Sequence, residues 1–184
     1  MKPALAVSLL ALLAAPQALA DDPPAKIVSG FYAVHQASDQ DGVPNAALRA
    51  KYAPYVAPAL AALLAQADAA EARYDNNNRD YPPLVEGDPF TPNMEGETGF
   101  QVGPCAGDAG LVRCPVALTY DESKTSNRHA GPPAKPISWT DTVTLVNAGD
   151  GWRIADIAFG GRADPGNPAR LTDVLKAAIA EGER

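Results

Sequence analysis

Two aspartates near the C-terminal end stand out as groups able to do chemistry. The segments Ile137 to Asn147 and Trp152 to Phe159 alternate apolar and polar residues, and Ala148-Gly149-Asp150-Gly151 joins them as a hairpin turn. A regular two- or four-residue turn pairs Asn147 with Trp152, Leu145 with Ile154, Val143 with Asp156 and Asp141 with Ala158. In that register Asp141 and Asp156 share one face with Trp139, Val143, Leu145, Trp152 and Ile154, roughly 7 Å apart or somewhat closer. Two acids on an apolar face hold a cationic group, accept several hydrogen bonds, or keep one proton between them. They make either a pocket for a basic ligand, a general base, or a structural pair tied to Arg and backbone donors. A bulge in the hairpin would shift the register and separate them.

A second acidic patch, Glu86-Gly87-Asp88-Pro89-Phe90, follows Asp80-Tyr81-Pro82-Pro83. Acids beside aromatic side chains suit recognition of a peptide or protein, whereas Asp88 alone also suits a turn before Pro89. Tyr32 lies on the apolar face of the first predicted helix and is the candidate oxyanion donor if Asp141 or Asp156 acts as a base. His35 follows on the same face and reads as a core histidine, and His129 as a solvated one. Nucleotide-binding loops, nucleophile elbows and zinc-protease helices are absent from the sequence. The Asp75 to Asp80 run departs from a calcium loop by placing Arg79 where an oxygen ligand is needed. Neither a metal nor an organic cofactor is expected.

The chain has 184 residues, 15 Lys and Arg against 22 Asp and Glu, and two Cys. Its formal charge of −7 opposes binding to nucleic acid and to anionic lipid, both of which need a basic face. Residues 1–20 have the form of a cleavable export signal: Lys2, an apolar run from Ala4 to Ala15 too short to span a bilayer, and Ala18-Leu19-Ala20 as the cleavage site. Residues 21–184 then form one domain, periplasmic or secreted, with no membrane insertion of the mature chain. In such a compartment Cys105 and Cys114, which bracket a Gly-rich turn, are expected to pair as a disulfide.

The elements that must position these groups follow from periodicity. Ile27, Val28, Phe31, Tyr32 and His35 recur at helical spacing from Pro24 to about Ser38. Residues 45–53 carry a short helical turn. Pro58 opens a longer helix with Leu60, Leu63, Leu64, Ala67 and Tyr74 as its stripe. Residues 75–98 are too rich in prolines and turn residues for a regular element and read as a long surface segment. From Gly99 the period becomes two, with Val112, Cys114, Val116, Leu118 and Tyr120 on one face. A last helix follows Asn167-Pro168, with Leu171, Val174, Leu175, Ala178 and Ile179 inward. Helices followed by a meander imply an α+β fold in which a curved antiparallel sheet packs on N-terminal helices and a C-terminal helix closes the chain.

Taken together, Phe31-Tyr32, the Leu60 to Tyr74 helix, Pro83-Leu84-Val85-Glu86-Gly87-Asp88-Pro89-Phe90, Trp139-Thr140-Asp141-Thr142-Val143 and Gly151-Trp152-Arg153-Ile154-Ala155-Asp156-Ile157 resemble the bacterial envelope family called domain of unknown function 3828. The resemblance spans about residues 25 to 180, and this chain lacks the lipid-acceptor Cys of some members. It implies a cone of the nuclear-transport-factor-2-like superfamily, with helices in the concave side of a bent sheet and a cavity at the wide end. It implies no particular reaction, because some cones are isomerases or dehydratases with an acid in the cavity and many others only bind. The expectation is therefore an exported, non-catalytic binding module for a small molecule, peptide or envelope protein of basic character. Its candidate residues are Asp141, Asp156, Asp88, Tyr32 and Trp139. The alternatives are a cofactor-free proton-transfer enzyme, and an inhibitor or immunity protein whose acidic loop plugs a basic cleft.

Overall fold

The computed structural model describes residues 23–38, 41–77, 82–125, 135–160 and 170–184. The expected export signal, His129 and the Asn167-Pro168 cap lie outside the described residues. Helix α1 runs over Pro24–Gln36, with Pro24 in its first turn, where the missing N–H costs nothing. Its inward face is the predicted one: Ile27, Val28, Phe31, Tyr32 and His35 are all buried. Helix α2, Ala46–Tyr52, is capped by Asn45, whose side chain accepts the Leu48 N–H at 3.1 Å. Helix α3 extends over Pro58–Asn77, past the expected end near Tyr74, and buries Leu60, Leu64, Ala67 and Ala70. Helix α4, Leu171–Glu181, packs along α3. A Cβ at Gly182 would strike Ala70, so the absence of a side chain there sets how close the two helices come.

The five strands β1 (Gly99–Val102), β2 (Ala106–Gly107), β3 (Leu111–Tyr120), β4 (Ile137–Asn147) and β5 (Trp152–Ala158) form one antiparallel sheet. Its order is β1-β3-β4-β5, with β2 also pairing to β3. The inner face carries Val112, Cys114, Val116, Leu118, Val143, Leu145, Ile154 and Ile157, and α1 lies against β1, β3 and β5. The fold is thus α+β, as expected. The Cys105–Cys114 disulfide is present and closes the turn that joins β2 to β3. The Val56 segment covers the β5 edge: the Ala57 N–H donates to the Ile154 carbonyl and the Ile154 N–H to the Tyr55 carbonyl, both at 2.7 Å.

Two expectations are corrected. The β4–β5 register is regular from Asn147↔Trp152 to Leu145↔Ile154 and then slips, so that Thr144 pairs with Asp156 and Val143 with Ile157. Ala155 is the additional residue of a β-bulge, and every residue beyond it changes face. The bulge puts Ile154 and Ile157 both inward, which a strict alternation forbids, and turns Asp156 away from Asp141. The second correction concerns residues 75–98, which are not simply a surface segment. The part after Pro82 folds back so that Val85, Asp88, Phe90, Thr91 and Glu97 are buried. Gly87, at φ +69°, makes that return possible, since a side chain there would meet the Met94 backbone.

Candidate functional site

The polar centre of the molecule is built where α1, α2 and the 82–98 segment meet. His35 is the last inward residue of α1, and its ring is 5.3 Å from that of Phe90, which is fully buried and also packs on Phe31 and Tyr52. Phe90 is the anchor that pins the 82–98 segment onto the helices. Anchoring it delivers Asp88 and Glu97 to His35. The imidazole Nε2 lies 2.7 Å from Asp88 Oδ2 and 3.5 Å from Glu97 Oε2, while Nδ1 lies 3.0 Å from the Tyr52 hydroxyl. Asp88 Oδ1 accepts the Phe90 N–H at 2.8 Å, an Asx turn that fixes the carboxylate. Gly96, at φ +74°, places its Cα where a Cβ would come within 3.0 Å of Asp88 Oδ2, so this position must stay bare for Glu97 to be reached.

The electrostatics follow from burial. Burial alone would push the His35 pKa down, but the Asp88 carboxylate, aided by Glu97, overrides it and holds the imidazole well above its usual value. His35 is therefore an imidazolium that donates from Nε2 to Asp88 and from Nδ1 to the Tyr52 oxygen. Burial raises Glu97, and the neighbouring His35 offsets only part of that rise. The Nε2 proton is already committed to Asp88, so neither oxygen of the fully buried Glu97 carboxylate has a hydrogen-bond partner among the described residues. The buried Tyr32 hydroxyl is likewise without one. Burial first, then the charges of Asp141, Glu97 and Asp88, raise Tyr32 well above an ordinary phenol, which keeps it a donor at physiological pH.

Asp141 stands on β4, opposite Val116, with 0% of its surface exposed. Its Oδ1 accepts the Gly160 N–H at 2.8 Å and its Oδ2 faces Trp139 Nε1 at 3.3 Å. Burial lifts its pKa to about 6 against these two donors, with Glu97 and Asp88 adding to the rise. Asp156 is elsewhere. Its carboxylate accepts from Arg170 at 2.8 Å and from the Thr172 N–H in the first turn of α4 at 3.2 Å, so it ties that helix to β5. The proposed pairing of Asp141 with Asp156 on one face is overturned, and the cause is the bulge at Ala155.

Of the five residues singled out from the sequence, Tyr32, Asp88, Asp141 and Trp139 belong to this interior or its border, and Asp156 does not. Glu97, Tyr52 and the central role of His35 were missed. His35 carried a signal, since it continues the inward stripe of α1 with no apolar character of its own; Glu97 carried none.

On the other side of Asp88 a groove of about 510 Å³ opens between residues 83–94 and α4. Leu84, Val85, Met94, Phe159 and Val174 form its apolar lining, and Glu86, Asp88 and Glu181 are the acids that border it. Met94 is 59% exposed, one of the few large apolar side chains among the described residues left open to solvent. Such a groove can hold an apolar body with a cationic group, whereas the buried centre can hold a proton or a cation. Among the described residues no helix is long and apolar enough to cross a membrane. No protein-family model matches this chain, and no curated protein matches it.

Proposed function

We propose that this protein is an exported, non-catalytic binding module, a cone of the nuclear-transport-factor-2-like kind, that holds a cation-bearing apolar ligand in the groove between residues 83–94 and α4. The observation that carries this reading is the groove itself. Its volume of about 510 Å³ suits a small molecule or a few side chains of a peptide. Its lining is apolar, and the acids that border it match the net negative charge of the whole chain. The disulfide between Cys105 and Cys114 supports an oxidising compartment.

Turnover is the weaker reading. Asp141 has a pKa suited to a general base, but both of its oxygens already face donors and it does not line the groove. Octylammonium, with octanoate as its charge-reversed control, tests the binding reading. In protein labelled at the methionine methyl groups, the Met94 resonance shifts with octylammonium and stays still with octanoate. Substituting Val174→Trp blocks the shift by filling the groove with an uncharged ring. A Met94 signal that ignores octylammonium, or that answers both probes equally, refutes the assignment.

A further inference from the structure

The buried cluster behind the groove has a composition that hydrogen bonding does not complete. His35, Asp88 and Glu97 each offer one ligand-type atom, and these atoms lie within 4.8 Å of one another. All three residues are buried, and the Glu97 side chain has no exposed surface. The His35 ring faces Glu97 Oε2 only at 3.5 Å and neither carboxylate oxygen has a hydrogen-bond partner among the described residues, so the buried Glu97 is left under-compensated for its burial. We infer that His35 Nε2, Asp88 Oδ2 and the Glu97 carboxylate form a binding site for a divalent transition-metal ion, Zn²⁺ being the best fit.

The separations agree with that chemistry. Tetrahedral zinc with bonds of about 2.1 Å holds its ligand atoms roughly 3.4 Å apart. Nε2 and Glu97 Oε2 are 3.5 Å apart, and Nε2 and Asp88 Oδ2, at 2.7 Å, need only open as the ion replaces the shared proton. One imidazole with two carboxylates suits zinc and its neighbours, while calcium and magnesium want more oxygens than are present. The supporting contacts are those a metal site uses. Tyr52 accepts from Nδ1–H and so leaves Nε2 to ligate, and the Phe90 N–H holds Asp88 Oδ1 and so leaves Oδ2 free. Asp88 also borders the groove, which gives an ion its way in. The three ligands leave a fourth position for solvent, and the unpartnered Tyr32 hydroxyl is a donor available in the same interior. On binding, the ion takes the Nε2 lone pair and the imidazolium proton leaves to solvent. The site shares Asp88 with the groove, whereas His35 and Glu97 do not line it.

The experiment uses tag-free, chelator-stripped protein titrated with Zn²⁺ alone against a chromophoric chelator, with ¹⁵N-imidazole spectra recorded in parallel. Expected are one equivalent of zinc per chain and a shift at Nε2 of His35 but not at His129, the only other histidine. Glu97→Gln, close in shape and stripped of charge, lowers the affinity at least about ten-fold, and Tyr52→Phe lowers it by roughly ten-fold as the loss of an orienting partner. Asp156→Asn, remote from the cluster, leaves it unchanged. Far-UV circular dichroism confirms that each variant is folded. Absence of stoichiometric uptake, a shift confined to His129, or an affinity that Glu97→Gln leaves intact each overturns the site.

Discussion

Asn at position 141 separates the charge of this buried group from its shape. In the folded protein Asp141 has a pKa of about 6, against an ordinary 3.8, because burial disfavours its charged form. The folded state therefore holds the proton more tightly than the unfolded chain does. The corresponding stability is fully present below about pH 3.8 and is lost as the pH rises through 6. At roughly 1.4 kcal/mol per pH unit, the gap between the two values amounts to about 3 kcal/mol. Asn has no such dependence. It keeps an oxygen for the Gly160 N–H but turns an amide N–H toward the Trp139 donor, a mismatch costing about 1–2 kcal/mol at every pH. Wild type is then the more stable at about pH 4, and Asp141→Asn gains on it by up to about 3 kcal/mol at neutral pH, enough to reverse their order. Urea unfolding followed by far-UV circular dichroism across this range measures the difference directly. Two stability profiles that run parallel from acid to neutral pH would show that Asp141 titrates as an ordinary carboxylate, and the account of the interior would fail.

Two further outcomes follow from the same structure. Opening the Cys105–Cys114 bridge, by reductant or by replacing both residues with Ala, frees a short loop and costs about 2.5–3 kcal/mol on the chain-entropy model, read as a lower urea midpoint. Equal midpoints with and without the bridge would mean that the unfolded chain is already restrained there. Truncating Phe90 to Ala removes the ring that packs on Phe31, His35 and Tyr52 and costs about 3–5 kcal/mol. It also releases residues 82–98 to limited proteolysis, and resistance equal to wild type would show that another contact holds the segment.

Much of the architecture was legible because it is written in local periodicity. The stripe Ile27, Val28, Phe31, Tyr32 and His35 can face the core only as a helix, and the alternation through Val112, Cys114, Val116 and Leu118 only as a half-buried strand. The Ala148 to Gly151 turn marks the boundary between β4 and β5 by the chemistry of its own residues. The same logic reached Tyr32 and Asp141, since each shares a face with large apolar neighbours.

The site itself was decided by tertiary structure. Whether Asp156 faces Asp141 depends on a single additional residue, Ala155, and a bulge is set by the fit of Ile154 and Ile157 against the helices and by the Val56 segment that pairs at the edge. That fit is a long-range competition with no local signature. Glu97 becomes a partner of His35 only because Phe90 inserts between α1 and α2 and draws a Pro- and Gly-rich segment inward with it. Composition marks such a segment as irregular, but where an irregular chain settles is fixed by the cavity that receives it. Residue type and spacing thus determined which helix and strand faces are buried. The packing of one aromatic ring determined which acids meet the histidine, and one bulge determined that Asp156 turns away from Asp141.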